Sequence, residues 1–139
     1  MIPDKINKII YNSGAYYIES KYIGDYTLEI DCKKLLAKYN YNSECYKNNI
    51  ILKIKKKKLS EFINKLDELN VFSWKKDYSD ENVCDGGYWS LKFKYNKNEI
   101  YEINGDNDYP ENYEYFIETL AKYFPIIKLD YEYRKKLEK

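Results

Sequence analysis

Four acids, Asp85, Asp106, Asp108 and Glu111, flank a predicted hairpin and converge if its two ends meet. Oxygen ligands in that number suit a hard cation. The spacing departs from the calcium-loop pattern, because neither Asp106 nor Asp108 is followed by Gly at the sixth position. Asp and Asn also bond their own backbone in turns, which accounts for the same residues without a metal. The chain has no His, which removes the commonest general base near neutral pH, the Ser-His triads and the Cys/His zinc sites. Cys32, Cys45 and Cys84 are odd in number and form no CxxC pair, so the expectation is three free thiols in a reducing compartment. Asp85 follows Cys84, and a neighbouring carboxylate raises a thiol pKa. No glycine-rich phosphate loop is present. The expectation is a non-enzymatic protein with no cofactor and no metal; a metal-dependent enzyme on the Asp cluster is the alternative from this chemistry.

Charge is the second signal. The net charge is only +1 over 139 residues, yet residues 1–76 hold 15 Lys and 9 acids, while residues 77–139 hold 9 basic and 14 acidic side chains. From Glu99 to Glu118 there are seven acids and no Lys or Arg. Such asymmetry marks a partner-facing surface or a solvated face. Lys53 and Lys55–Lys58 form the opposite extreme and could contact phosphates. No aromatic is interleaved with them for base stacking, so protection of a strand edge or a solvated strand end is the first reading; a nucleic-acid-binding module on Lys53–Lys58 is an alternative function, and nucleic acid is not the expected partner. No apolar run reaches the ~20 residues of a membrane span, and the start lacks the basic head and long apolar stretch of a signal peptide. The expected location is cytoplasmic, with no membrane partner.

Patterning supplies the elements that must position these groups. Residues 15–21 and 26–31 read as a hairpin turned at Gly24, and 50–55 as a further strand. Residues 32–49 fit either a short helix or a strand with a long loop, with Asn and Ser favouring loop from residue 40. "LSEFINKLDELN" predicts a helix with Ser60 as N-cap, Leu59, Phe62, Ile63, Leu66 and Leu69 inward, and Asn70 at its close. "CDGG" is a turn; from Tyr88 the alternation is two-periodic, with Trp89, Leu91, Phe93 and Tyr95 on one face. Trp89 is therefore expected in the core, whereas Trp74 lies in a link. "NKN" turns the chain into a partner strand at 99–104, and "GDND" breaks it. Pro110 then sits in the first turn of a helix that Pro125 stops. The tail 128–139 is charged and of unassigned structure. The order β-β-β-α-β-β-α predicts one α+β domain over residues 1–139, an antiparallel sheet built from hairpins with its helices packed on one face.

The segment "VCDGGYWSLKFKYNKNEIYEINGDNDYPENYEYFIETL" resembles small bacterial proteins that share a DG-x-x-W-x-L-x-x-x-Y stretch, a short hairpin, then G-x-N-x-Y-P and a helix. The matching residues are Asp85, Gly86, Trp89, Leu91, Tyr95, Gly105, Asn107, Tyr109 and Pro110, and the likeness covers about residues 59–124. Such proteins look like companions in toxin–immunity loci, including those of contact-dependent inhibition. The resemblance implies an immunity-type inhibitor that binds a cognate toxin domain and occludes it. Charge complementarity would then place the partner face on Glu99, Glu102, Asp106, Asp108, Glu111, Glu114 and Glu118. Tyr109, Tyr113 and Tyr115 would supply rigid contact area.

Overall fold

The computed structural model describes residues 5–15, 24–80, 82 and 87–138. Seven strands form one sheet: β1 (Ile6–Ala15), β2 (Asp25–Asp31), β3 (Leu36–Asn42), β4 (Lys47–Lys53), β5 (Asp77–Ser79), β6 (Gly87–Tyr95) and β7 (Glu99–Asp106). Their order across the sheet is β4-β3-β2-β1-β6-β7-β5. All neighbours are antiparallel except β5, which runs parallel to β7. Helix α1 (Lys56–Glu68) joins β4 to β5 through a 3-10 turn, and α2 (Tyr113–Tyr123) and α3 (Ile126–Leu137) follow β7. The protein is therefore α+β, as the hairpin pattern predicts.

One face of the sheet is apolar because every strand obeys the two-residue side-chain period. Ile9 and Tyr11 of β1 stand in register with Ile30 and Leu28 of β2 on one side and with Phe93 and Leu91 of β6 on the other. Ala37, Tyr39 and Tyr41 extend this face across β3, and Ile103 across β7. Leu59, Phe62 and Leu66 of α1 and Phe116 and Leu120 of α2 complete one core cluster with them. Burying each such side chain is worth about 1.5–3 kcal/mol relative to exposure. The opposite face is mostly polar, with Lys92 and Glu102 directly paired across β6 and β7, although Ile51 and Ile100 stand exposed on it.

Several expectations change. The first hairpin uses β1 at Ile6–Ala15 rather than residues 15–21, of which all but Ala15 lie outside the described residues. Residues 32–49 contain neither a helix nor a long loop: a four-residue turn leads into β3, and Ser43–Tyr46 turn it into β4. Ser60 is inside α1, which begins four residues earlier with Lys55 as its N-cap residue and no side-chain cap. Asn70 does close the helix region, in the left-handed conformation at φ 58°. "GDND" does not break the strand at Gly105, because Gly105 and Asp106 still pair with Trp89 and Tyr88. The tail is helical, as α3. No described helix is long and apolar enough to cross a membrane.

Helix α3 is held by a buried charge. Asp130 is 3% and Arg134 9% exposed. The Asp130 carboxylate accepts hydrogen bonds from the hydroxyls of Tyr39 and Tyr46, each at 2.6 Å, and from the Asn48 amide at 2.9 Å. Arg134 Nε donates to it at 3.2 Å, and the guanidinium carbon lies 3.8 Å from the centre of the Tyr41 ring. Burial pushes the Asp130 carboxyl up, but the three hydrogen bonds and the Arg134 charge together hold it below the usual carboxylate range. Because the folded pKa is depressed, this contribution to stability is complete above the unfolded value of about 4 and is lost as pH falls through the folded value. Asp130→Asn leaves Arg134 buried without its counter-charge and is predicted to cost about 3–5 kcal/mol. Thermal melts should show that loss at pH 7, together with a shallower fall of stability in acid than the wild type shows.

Candidate functional site

The resembling segment converges on one packing device. Trp89 and Gly105 are cross-strand partners, and the indole lies on the glycine so closely that a Cβ there would meet Trp89 Nε1 at 1.8 Å. Only a glycine lets the indole lie flat across the strand. Trp89 Nε1 then donates to the Asp108 carbonyl at 3.0 Å, and the Tyr109 ring lies nearly parallel to the indole, 13° between planes and 6.4 Å between centres. Asn107, at φ 61°, turns the chain out of β7 and its N–H donates to the Gly87 carbonyl at 2.9 Å. Left-handed geometry suits Asn far better than a bulky residue.

The outcome is a ridge, residues 107–112, standing between β7 and α2. Tyr113 N–H closes a turn onto the Pro110 carbonyl at 3.1 Å. Pro110 thus lies buried ahead of α2 rather than in its first turn, a correction to the predicted helix start. Asn112, the N-cap residue, makes no side-chain cap bond. Its amide instead donates to the Leu69 carbonyl at 2.6 Å and its oxygen accepts from Trp74 Nε1 at 3.1 Å. That ties the ridge to the end of α1 and buries Trp74, which the sequence left in a link.

A groove runs along each side of the ridge. One, of about 710 Å³, is walled by Trp74, Lys75 and Tyr78 against Asp108–Asn112. The other, of about 510 Å³, lies between Tyr11, Tyr26 and Tyr113 on one side and Tyr109, Pro110 and Glu111 on the other. Its floor is locked by a hydrogen bond between the Tyr11 and Tyr113 hydroxyls. Burial pushes the pKa of both phenols, and of Tyr26, well up, so they stay protonated at neutral pH.

The predicted partner residues divide between faces. Asp108, Tyr109 and Glu111 lie on the ridge, Asp106 ends β7 at its foot on the same side of the strand as Glu102, and Glu114, Tyr115 and Glu118 continue along the exposed side of α2. Tyr109 is 43% and Tyr115 63% exposed. Tyr113 is half-buried and faces the aromatic cluster, 4.9 Å from Trp89 between ring centres. Glu102 is on the polar face of the sheet, on the side away from the helices, and is paired with Lys92 at 3.6 Å. Glu99 is at the opposite end of β7, roughly 20 Å along the strand.

Among the described residues no three Cys, Asp or Glu side chains gather in a way that could hold a metal; Cys84, Asp85 and Gly86, and with them the turn expected at CDGG, lie outside those residues. Asp108 Oδ1 accepts the Tyr109 N–H at 2.9 Å and Asp106 accepts from Asn107 at 3.0 Å, both turn contacts. Burial, followed by the Asp31 charge, pushes the Cys32 thiol up to about 11, and Cys45 is exposed. Sequence reasoning missed Asn112 and Trp74 as the residues that anchor the ridge; both bonds cross more than 35 residues of chain.

No protein-family model matches the chain, and no curated protein is significantly similar to it.

Gly105→Ala is predicted to force Trp89 off the strand, release the Asp108 carbonyl and destabilise the protein by about 3 kcal/mol. A lowered melting temperature with red-shifted tryptophan emission would register this. An unchanged emission maximum would show that the indole does not rest on Gly105.

Proposed function

We propose that this chain is a non-enzymatic, immunity-type binding protein that neutralises a cognate toxin domain by occlusion, using the acidic, tyrosine-bearing ridge and the adjoining side of α2. The observation that carries this reading is the joint exposure of Tyr109, Tyr115, Asp108, Glu111, Glu114 and Glu118, on a scaffold fixed by buried indole and amide hydrogen bonds. Rigid aromatics offer contact area at low entropic cost, and a single sign of charge selects an oppositely charged partner and speeds its approach. Many toxin domains that act on nucleic acid are basic, which makes them the partner class expected from the resemblance to toxin–immunity companions. Glu102 is left out of the proposed face because it points to the other side of the sheet, and Glu99 because it lies at the far end of β7.

The test is purification of the chain with the product of the adjacent upstream gene. A stoichiometric complex that silences that neighbour's toxicity supports the reading; a harmless neighbour that forms no complex overturns it. The variant carrying Asp108→Asn, Glu111→Gln, Glu114→Gln and Glu118→Gln is predicted to associate with the partner about tenfold more slowly or worse at low salt. Its melting temperature should be nearly unchanged, since all four side chains are exposed. Wild-type association kinetics in that variant would sink the proposed face.

A further inference from the structure

The lysines that are scattered in sequence are gathered by the fold at the end of the sheet opposite the acidic ridge. Four chain segments meet there: the start of β1, the β2–β3 turn, the β4–α1 junction and the β6–β7 turn. Backbone hydrogen bonds tie them edge to edge, from Asn96 to the Lys5 carbonyl at 3.1 Å, from Cys32 to Asn7 at 2.8 Å and from Ile54 to Leu35 at 2.8 Å. Lys5, Lys33 and Lys97 line a groove of about 640 Å³ with Asn7 and Asn96. Lys34, Lys53 and the run Lys55–Lys58 continue the surface, and all nine side chains are exposed. Only Lys53 lies on the edge strand β4; the run beyond it opens α1, so edge protection does not account for it.

Among the described residues none of these nine ammonium groups is in an ion pair. Of the nearby acids, Glu61 stands exposed on α1, while Asp31 and Glu99 accept from other donors. Asp31 accepts the backbone N–H groups of Lys33 and Lys34 at 3.0 and 2.9 Å, and Glu99 accepts from Asn96 at 3.4 Å. Mutual repulsion is compounded at α1, whose first turn holds lysines and no acid; positive charge there opposes the helix dipole. The surface thus keeps an excess of positive charge that is offset only in part, by Asp31 beside Lys34 and by the Phe124 ring 5.9 Å from Lys58 Nζ, as expected of a site that answers to a ligand.

We propose that this end of the sheet binds the phosphodiester backbone of a nucleic acid. From β7 to β4 the surface crosses six strands, roughly 24 Å, enough for about seven phosphates of one strand. The positive side chains are all lysines, which meet phosphate as point charges rather than reading base edges. Of the exposed rings, Tyr109 and Tyr115 lie toward the acidic end and Tyr131 and Tyr133 are on α3, with half-buried Tyr95 closing β6 beside the lysines, so the contact is chiefly to the backbone and largely independent of sequence. The inference stands independently of the acidic ridge and of the partner proposed for it.

Fluorescence anisotropy with labelled single-stranded and duplex DNA of about 20 nucleotides tests this; affinity should fall by roughly 10²–10³-fold between about 50 and 200 mM salt if four to six phosphates are met. Two variants, one with Lys55, Lys56, Lys57 and Lys58 each changed to Gln, the other with Lys5, Lys33 and Lys97 changed to Gln, should each lose about tenfold or more in affinity at low salt. The first should also melt at a higher temperature than the wild type, so that its loss of binding does not come from unfolding. Absence of binding at low salt, or binding that survives in both variants, overturns the proposal. So does salt-sensitive self-association with no nucleic-acid signal, which would assign the lysines to the acidic ridge of a second copy.

Discussion

The contact of the Trp89 indole with the backbone of Gly105 is the constraint on which the functional half of the molecule depends. It fixes which residues face each other across β6 and β7, and it aims the indole N–H at Asp108 beyond the strand end. From that bond follow the left-handed turn at Asn107, the stacked Tyr109 and the buried Pro110. Helix α2 then starts only at Tyr113, because its N-cap residue has committed its side chain to Leu69 and Trp74 instead of to the helix. A surface loop would ordinarily be mobile; here hydrogen bonds to two buried indoles and to the end of α1 make it a fixed ridge.

The other half is ordered by a different device. Asp130 collects two tyrosine hydroxyls, an asparagine amide and a guanidinium, which pins α3 over β3 and the turn into β4. A network of this kind is stabilising only while every member is present. Between the two devices the strands carry little besides alternation, and their ends are left to carry charge. The acids collect where β7 meets the ridge, and the lysines where α1 and the tight turns begin. A chain of net charge +1 thereby becomes a molecule with two oppositely charged poles.

Much of this was legible in the sequence wherever period and polarity agree. Trp89, Leu91 and Phe93 alternate with Ser90 and Lys92, and Leu59, Phe62 and Leu66 recur at helical spacing, so β6 and α1 are plain. Strand β3 has the same period, with Ala37, Tyr39 and Tyr41 inward, but its outward residues Asn40 and Asn42 are typical of loops. Strand β1 is obscured by Asn, Ser and Gly at its end, although Ile9 and Tyr11 alone place its inner face. The start of α1 was misplaced because lysines are good helix formers even where they oppose the dipole. The acidic tract was legible as composition but not as a surface, since strand alternation sends Glu102 to the face away from α2 and the length of β7 separates Glu99. The Asp130 network joins residues more than 80 positions apart, which no local pattern encodes.

The central claim is that the ridge and the exposed side of α2 form the face that a partner covers. Hydrogen exchange of the chain, free and in a stoichiometric complex with its cognate protein, addresses it most directly. The account predicts new protection concentrated in residues 106–118, with the β4 edge and the lysine end exchanging as in the free protein. Protection confined to β4 and α3, or to the lysine end, would contradict it.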